Sequence, residues 1–190
     1  STRRRRCLRM GCRCRSPALS PPPVGDVKSI NDIVARMREF IEKKKIPRGV
    51  AVLGDGYDDL MLAERRHPTR EDLDRVSTEH PVVIVHASGH LGSANTLALE
   101  KVGFVKGAPD PKGGCIRCDP QTGEPTGVVE EQAVFNLLRL LPPKNEEERL
   151  RTLVEIQHRY ASFGITTAQD GQTLSALEAR YPTPPAEQSS

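Results

Sequence analysis

Apolar residues recur at helical spacing through SINDIVARMREFIEKKK, with Ile30, Ile33, Val34, Met37, Phe40 and Ile41 on one face. That period predicts an amphipathic helix with one buried stripe. Ser29 stands where an N-cap is needed, and Asp32 and the lysines at 43–45 suit the two ends of the helix dipole. Pro47 stops the helix, after which VAVL (50–53) predicts a short buried strand. GDGYDDLMLAERRHP then predicts a loop with a helical turn, and Thr69 caps a short helix, TREDLDRVS.

PVVIVH (81–86) is continuous and β-branched, the pattern of a strand buried on both faces. After the turn at Ser88-Gly89-His90, either Ser93 or Asn95 can start a helix through NTLALEKVG that Gly103 ends. Residues 104–128 are rich in Gly, Pro and Asp and predict loop. EEQAVFNLLRLL predicts a helix broken by Pro142 and Pro143. Asn145 with Glu148 predicts a capping box opening the longest helix, which Gly164 closes before a short buried strand, ITTA (165–168). A last helix, TLSALEARY, leads into a polar tail. Strands separated by helices imply an α/β chain, although the strands are too few to complete a parallel sheet.

Composition adds a soluble, globular character: 36% hydrophobic and 28% charged over 190 residues. The net charge of +3 hides an asymmetry, because residues 1–16 hold seven Arg and no acid, leaving 21 basic against 25 acidic residues elsewhere. Three organisational segments follow: an Arg/Cys- and Pro-rich arm (1–23), a body (24–181) and a tail (182–190). The arm could neutralise nucleic-acid phosphates, but no aromatic interleaving or nucleic-acid motif accompanies it, which disfavours that partner. The cysteines form no secreted disulfide framework and no secretory leader is evident, so a cytoplasmic setting is expected. No apolar run reaches the length of a membrane helix, so no membrane partner is expected.

Two stretches carry candidate chemistry at strand exits, where α/β proteins collect their ligands. GDGYDD offers a phenol, Tyr57, and two carboxylates, Asp58 and Asp59, suited to orienting a substrate or to acid/base work; a solvated turn explains them equally well. His86 and His90 have the four-residue spacing of a helical zinc pair, but Ser88-Gly89 breaks helical geometry. His86, at the exit of a buried strand before a Gly-bearing turn, is instead well placed to face a ligand. Asp170 follows ITTA as a further strand-exit carboxylate. His67, His80 and His158 are expected to be structural or exposed, and CIRC (115–118) to be a chance C-x2-C.

Taken in order, GDGYDD, HPTREDLDRVSTEHPVVIVHASGH, DPKGG, DPQTGEPTGVVEE and YASFGITTAQDG resemble amidohydrolase family 3 of the amidohydrolase superfamily, the group of N-substituted formamide deformylase-like hydrolases. The resemblance spans roughly residues 20–175 and is specific in its combination. It implies metal-dependent hydrolysis of a small amide-type substrate at a non-peptide C–N bond, with a divalent metal, zinc being the expected ion. It also implies a (β/α)8 barrel, of which this chain is a fragment: mostly the insertion between barrel strands one and two, plus strand two at ITTA. The H-x-H motif and the later metal-binding residues of that family are not found here. The chain is therefore expected to hold no metal ligands and to be inactive alone. Within this picture Tyr57, Asp58, His90, Asn95 and Asp170 are the substrate-pocket candidates, with His86 supporting the turn. Self-association stays open. The rival expectation is a non-enzymatic module that binds a small ligand or, through its basic arm, nucleic acid.

Overall fold

A computed structural model describes residues 16–143 and 146–168, and its packing divides the chain into two units, Ser1–Pro142 and Pro143–Ser190. In the first unit a mixed sheet lies between two layers of helix. Its strands are β1 (Val52–Tyr57), β2 (Val82–His86), β3 (Leu91–Ala94), β4 (Gly114–Cys118) and β5 (Pro125–Glu131), in the order β1-β2-β3-β5-β4. Only β1 and β2 pair in parallel, joined through the short helix α2 (Arg70–Asp74); the remaining pairs are antiparallel. The α/β class stands, but the sheet is hairpin-built more than doubly wound.

β2 anchors both layers because successive side chains leave a strand on opposite faces. Val82 and Ile84 join the core beneath α1 (Ile30–Lys44), whereas Val83 joins the core beneath α3 (Thr96–Val102) and α4 (Gln132–Leu138). The β-branched run is thus buried on both faces, as its pattern predicts. In α1 the Ser29 hydroxyl accepts the Asp32 N–H at 3.1 Å, and Lys45 closes the helix in the left-handed region. Ile30, Ile33, Val34 and Met37 are buried, each contributing about 1.5–3 kcal/mol of apolar burial. Helix and sheet approach closely at Gly54, where an added Cβ would lie 2.7 Å from Met37 Sδ and 2.6 Å from Leu19 Cδ1.

The structure corrects several boundaries. Residues 104–128 are not all loop: they contain β4 and the start of β5, turned by Asp119, whose Oδ1 accepts the Gln121 and Thr122 N–H groups. Glu130 and Glu131 end β5, so α4 begins two residues later than the apolar period suggests. Ser93 lies in a strand, and Asn95 is the residue that caps α3. Residues 17–19, assigned to the N-terminal arm, pair with Asp55 of β1 and bury Leu19 completely. The earlier part of that arm and the tail from 169 lie outside the described residues.

The second unit contains α5 (Glu146–Ser162), ended by Gly164 at φ 78. Arg151 pairs with Glu147 one turn earlier. ITTA forms no strand and is exposed. Among the described residues no helix is long and apolar enough to cross a membrane.

Candidate functional site

The parallel pair β1–β2 ends on a polar cluster. Tyr57 and His86 are register partners at the two carboxyl ends, and a bulge between Asp55 and Tyr57 turns the phenol inward. Gly56 makes that bulge with φ 89, a conformation in which only glycine is unstrained. Tyr57 is fully buried. Its Oη lies 3.1 Å from His67 Nδ1 and 3.4 Å from Ser93 Oγ. The three rings of Tyr57, His67 and His86 meet edge to face, with centroids 5.3–6.0 Å apart.

Asp58 and Asp59 follow Tyr57 directly. Asp58 Oδ1 accepts the Leu60 N–H and so starts a single 3-10 turn, Asp59–Met61. That turn swings Asp59 between the histidines: its Oδ1 lies 3.3 Å from His86 Nε2 and 3.6 Å from His67 Nδ1. Asp58 Oδ1 is 3.9 Å from the same His86 nitrogen. On its far side the His86 ring is held by Ser88, whose N–H donates to Nδ1 at 3.1 Å and whose hydroxyl lies at 2.9 Å. Burial pushes the Tyr57 hydroxyl up to about 12, with Asp59 adding to the shift. Burial also lowers the His67 imidazole below its ordinary value, assisted by Arg117 and His86 and opposed by Asp59.

Three of these donors, from Asp58, Asp59 and His86, lie within 4.8 Å of one another. Two carboxylates and an imidazole form a set able to hold a divalent cation. The sequence leads one to expect no metal ligands in this chain and does not reveal this cluster.

The remaining candidates separate. His90 sits at the β2–β3 turn, largely exposed, with Nδ1 3.0 Å from Glu131 Oε2. Its carbonyl accepts the Glu131 N–H at 2.8 Å. Glu131 adopts φ 50, ψ −120, a strained backbone for a residue with a Cβ. Asn95 does not reach a pocket. It is fully buried, its Oδ1 accepts the Val82 and Ala98 N–H groups, and its Nδ2 donates to the Ser77 and His80 carbonyls. Every polar position of that amide is engaged within the fold. Asp170 lies outside the described residues. Cys115 and Cys118 are free thiols on β4, and burial with Asp110 and Glu130 raises the Cys115 thiol, away from thiolate chemistry. His67 was not among the expected site residues, and Asp59 only as one of the carboxylates of GDGYDD; His67 reaches Tyr57 through a loop, and no spacing rule records such a contact.

Residues 15–184 match the sequence profile of the Amidohydrolase family. The N-substituted formamide deformylase of Arthrobacter pascens is 33% identical over 167 residues, covering 85% of this chain and 30% of that protein. The exoenzymes regulatory protein AepA of Pectobacterium carotovorum is 28% identical over 163 residues, covering 82% of this chain and 34% of its own length. A metal-dependent hydrolase of Pyrococcus furiosus, known as a crystal structure, is 25% identical with a TM-score of 0.46, over 66% of this chain and 21% of that one. The chain thus spans about a third of the length of the two curated relatives.

Proposed function

Because this chain belongs to the amidohydrolase family, we propose that it supplies part of the substrate pocket of a metal-dependent hydrolase of non-peptide C–N bonds. The family match over residues 15–184 carries this reading. The gathering of Tyr57, Asp58, Asp59, His67 and His86 at the carboxyl ends of β1 and β2 supports it, since α/β proteins bind ligands there. The sheet of the first unit is then the insertion between the first two strands of a (β/α)8 barrel, and ITTA becomes a strand only beside barrel neighbours. The division of packing after Pro142 agrees with that assignment.

The substrate is a small amide-type molecule and the setting cytoplasmic. Asp58 and His90 reach solvent and contact the substrate, whereas Tyr57, sealed beneath them, positions His67. A divalent metal, which we take to be zinc, supplies an activated water for attack on the amide carbon when it is bound. The test is a chimera in which residues 16–142 replace the matching segment of the Arthrobacter deformylase. N-substituted formamide hydrolysis is expected to persist in the chimera and to be absent from the 190-residue chain alone. A folded chimera without turnover, or metal-dependent turnover by the chain alone, overturns this assignment.

A further inference from the structure

We propose that Asp58, Asp59 and His86 form a binding site for one first-row divalent transition metal, from Mn2+ to Zn2+, on this chain itself. The site shares Asp58 with the proposed substrate pocket, but its geometry and its test involve no substrate and stand or fall without the hydrolysis.

The distances fit ligation. Donors bound to one ion at about 2.1 Å in tetrahedral array stand roughly 3.4 Å apart. The His86 Nε2 to Asp59 Oδ1 separation is 3.3 Å, and His86 Nε2 to Asp58 Oδ1 is 3.9 Å. All three donors lie within 4.8 Å of one another, so the longer separations must close to reach a coordinated arrangement. The backbone already gathers the donors: β1 and β2 fix the register of Tyr57 with His86, and the 3-10 turn places the two carboxylates side by side.

Charge points the same way. Asp58 and Asp59 are adjacent carboxylates with side chains 33% and 19% exposed, and their ion partners among the described residues are His67 and His86, with neither Lys nor Arg. Two half-buried carboxylates with no Lys or Arg in ion-pair contact among the described residues repel one another, Arg117 acting on the cluster only from a distance, and a divalent ion between them removes that repulsion.

Supporting groups surround the donors. Ligation requires a bare His86 Nε2 and hence a proton on Nδ1; the Ser88 hydroxyl, 2.9 Å from Nδ1, can accept that proton once the Ser88 N–H, which donates to Nδ1 in this structure, gives up its bond. His67, whose Nδ1 lies 3.1 Å from Tyr57 Oη, stands beside Asp59 at 3.6 Å, beyond hydrogen-bond distance. A hydrogen bond from the other ring nitrogen, as between His86 and Ser88, orients a metal-ligating imidazole. The imidazole selects the transition series over Mg2+ and Ca2+, which prefer oxygen donors alone. Three protein donors leave an open coordination position.

The test uses Mn2+ with the full chain, because Zn2+ would also report on the five cysteines. Loss of the free-ion electron paramagnetic resonance signal measures uptake, and pulsed spectra of the bound ion detect nitrogen coupling from an imidazole. One saturable Mn2+ per chain with 14N modulation is expected, weakened at least about tenfold by Asp59→Asn and by His86→Gln, and unchanged by Cys118→Ser. Circular dichroism of the metal-free variants identifies any that fail to fold; the nitrogen signal in the unaltered chain decides the matter if they do. No saturable uptake at millimolar Mn2+, a bound ion without nitrogen coupling, or equal affinity in folded His86→Gln overturns the site.

Discussion

Asn95 and Asp59 are both polar side chains at the sheet, and they are treated in opposite ways. Asn95 is buried completely, with four hydrogen bonds that use its whole amide. Asp59 keeps some exposure and, among the described residues, has two imidazoles as its ion partners, at 3.3 and 3.6 Å. The first joins β2, the loop before it and α3 into one body. The second leaves acceptor capacity unused beside another carboxylate. Satisfaction of polar groups, rather than residue type or position at a strand end, separates the structural group from the chemically available one.

The sharpest way to break this contrast is Asn95→Ala. Removing the amide strands the buried Val82 N–H and the His80 carbonyl and uncaps α3, at a cost of about 3 kcal/mol or more. Urea denaturation followed by circular dichroism measures it. A cost below about 1 kcal/mol would mean that Asn95 is not the structural member of the pair.

Asp72 tests the middle ground, a carboxylate that is nearly buried yet fully partnered. Its Oδ2 accepts from the Thr69 N–H at 2.9 Å and from Arg66 at 2.6 Å. Burial pushes its carboxyl up, but the Arg66 hydrogen bond, the Thr69 N–H and the Arg66 charge outweigh that and hold it below its ordinary value. A depressed carboxylate contributes stability that is present above its unfolded pKa and lost as pH falls through the folded one. Asp72→Asn is therefore expected to cost roughly 1–2 kcal/mol at neutral pH. The gap from the unaltered chain should close on acidification, below about pH 4. Urea midpoints across that range check it; a gap that persists in acid would assign the effect to packing rather than charge.

What was legible in the sequence follows the same division between local and non-local causes. α1, α2 and α3 were readable because their caps and apolar stripes lie within a few residues: Ser29 with Asp32, Thr69 with Asp72, Asn95 with Ala98. β2 was readable because burial on both faces leaves an unbroken apolar run. β4 and β5 were hidden, since one face of each carries Arg117, Thr126 or Glu130 and the alternation looks like loop. The turn DPQTGEP between them was the available hairpin signal. Strand exit led to the segment holding Tyr57, Asp58 and Asp59. It could not reveal that Asp59 would turn between two histidines, one from β2 and one from a loop, because that contact depends on strand register and on the 3-10 turn.

Glu131 extends the contrast to backbone strain. Its φ 50, ψ −120 conformation suits glycine, so Glu131→Gly is expected to raise stability by roughly 1 kcal/mol. The same change removes the carboxylate 3.0 Å from His90 Nδ1, a pair too exposed to contribute much to folding. A gain in the urea midpoint would mean that this strain serves the placement of Glu131 beside His90. A loss would make Glu131 a structural residue.

Asp59→Asn has the smallest expected effect on folding, and it bears most directly on the contrast. The substitution removes attraction to His86 and His67, at separations where hydrogen bonding is already weak. It also removes the repulsion between Asp59 and the neighbouring Asp58 carboxylate. The two changes oppose one another, so metal-free stability should shift by no more than about 0.5 kcal/mol, as for a surface position. Thermal melts with chelator present measure this, and a loss comparable to that of Asn95→Ala would mean that Asp59 is as structural as the asparagine. Adding Mn2+ should then raise the melting temperature of the unaltered chain and leave that of Asp59→Asn unmoved, since an ion that binds only the folded state stabilises it by mass action. The same residue is thus expected to matter little to the fold and greatly to what the fold can hold.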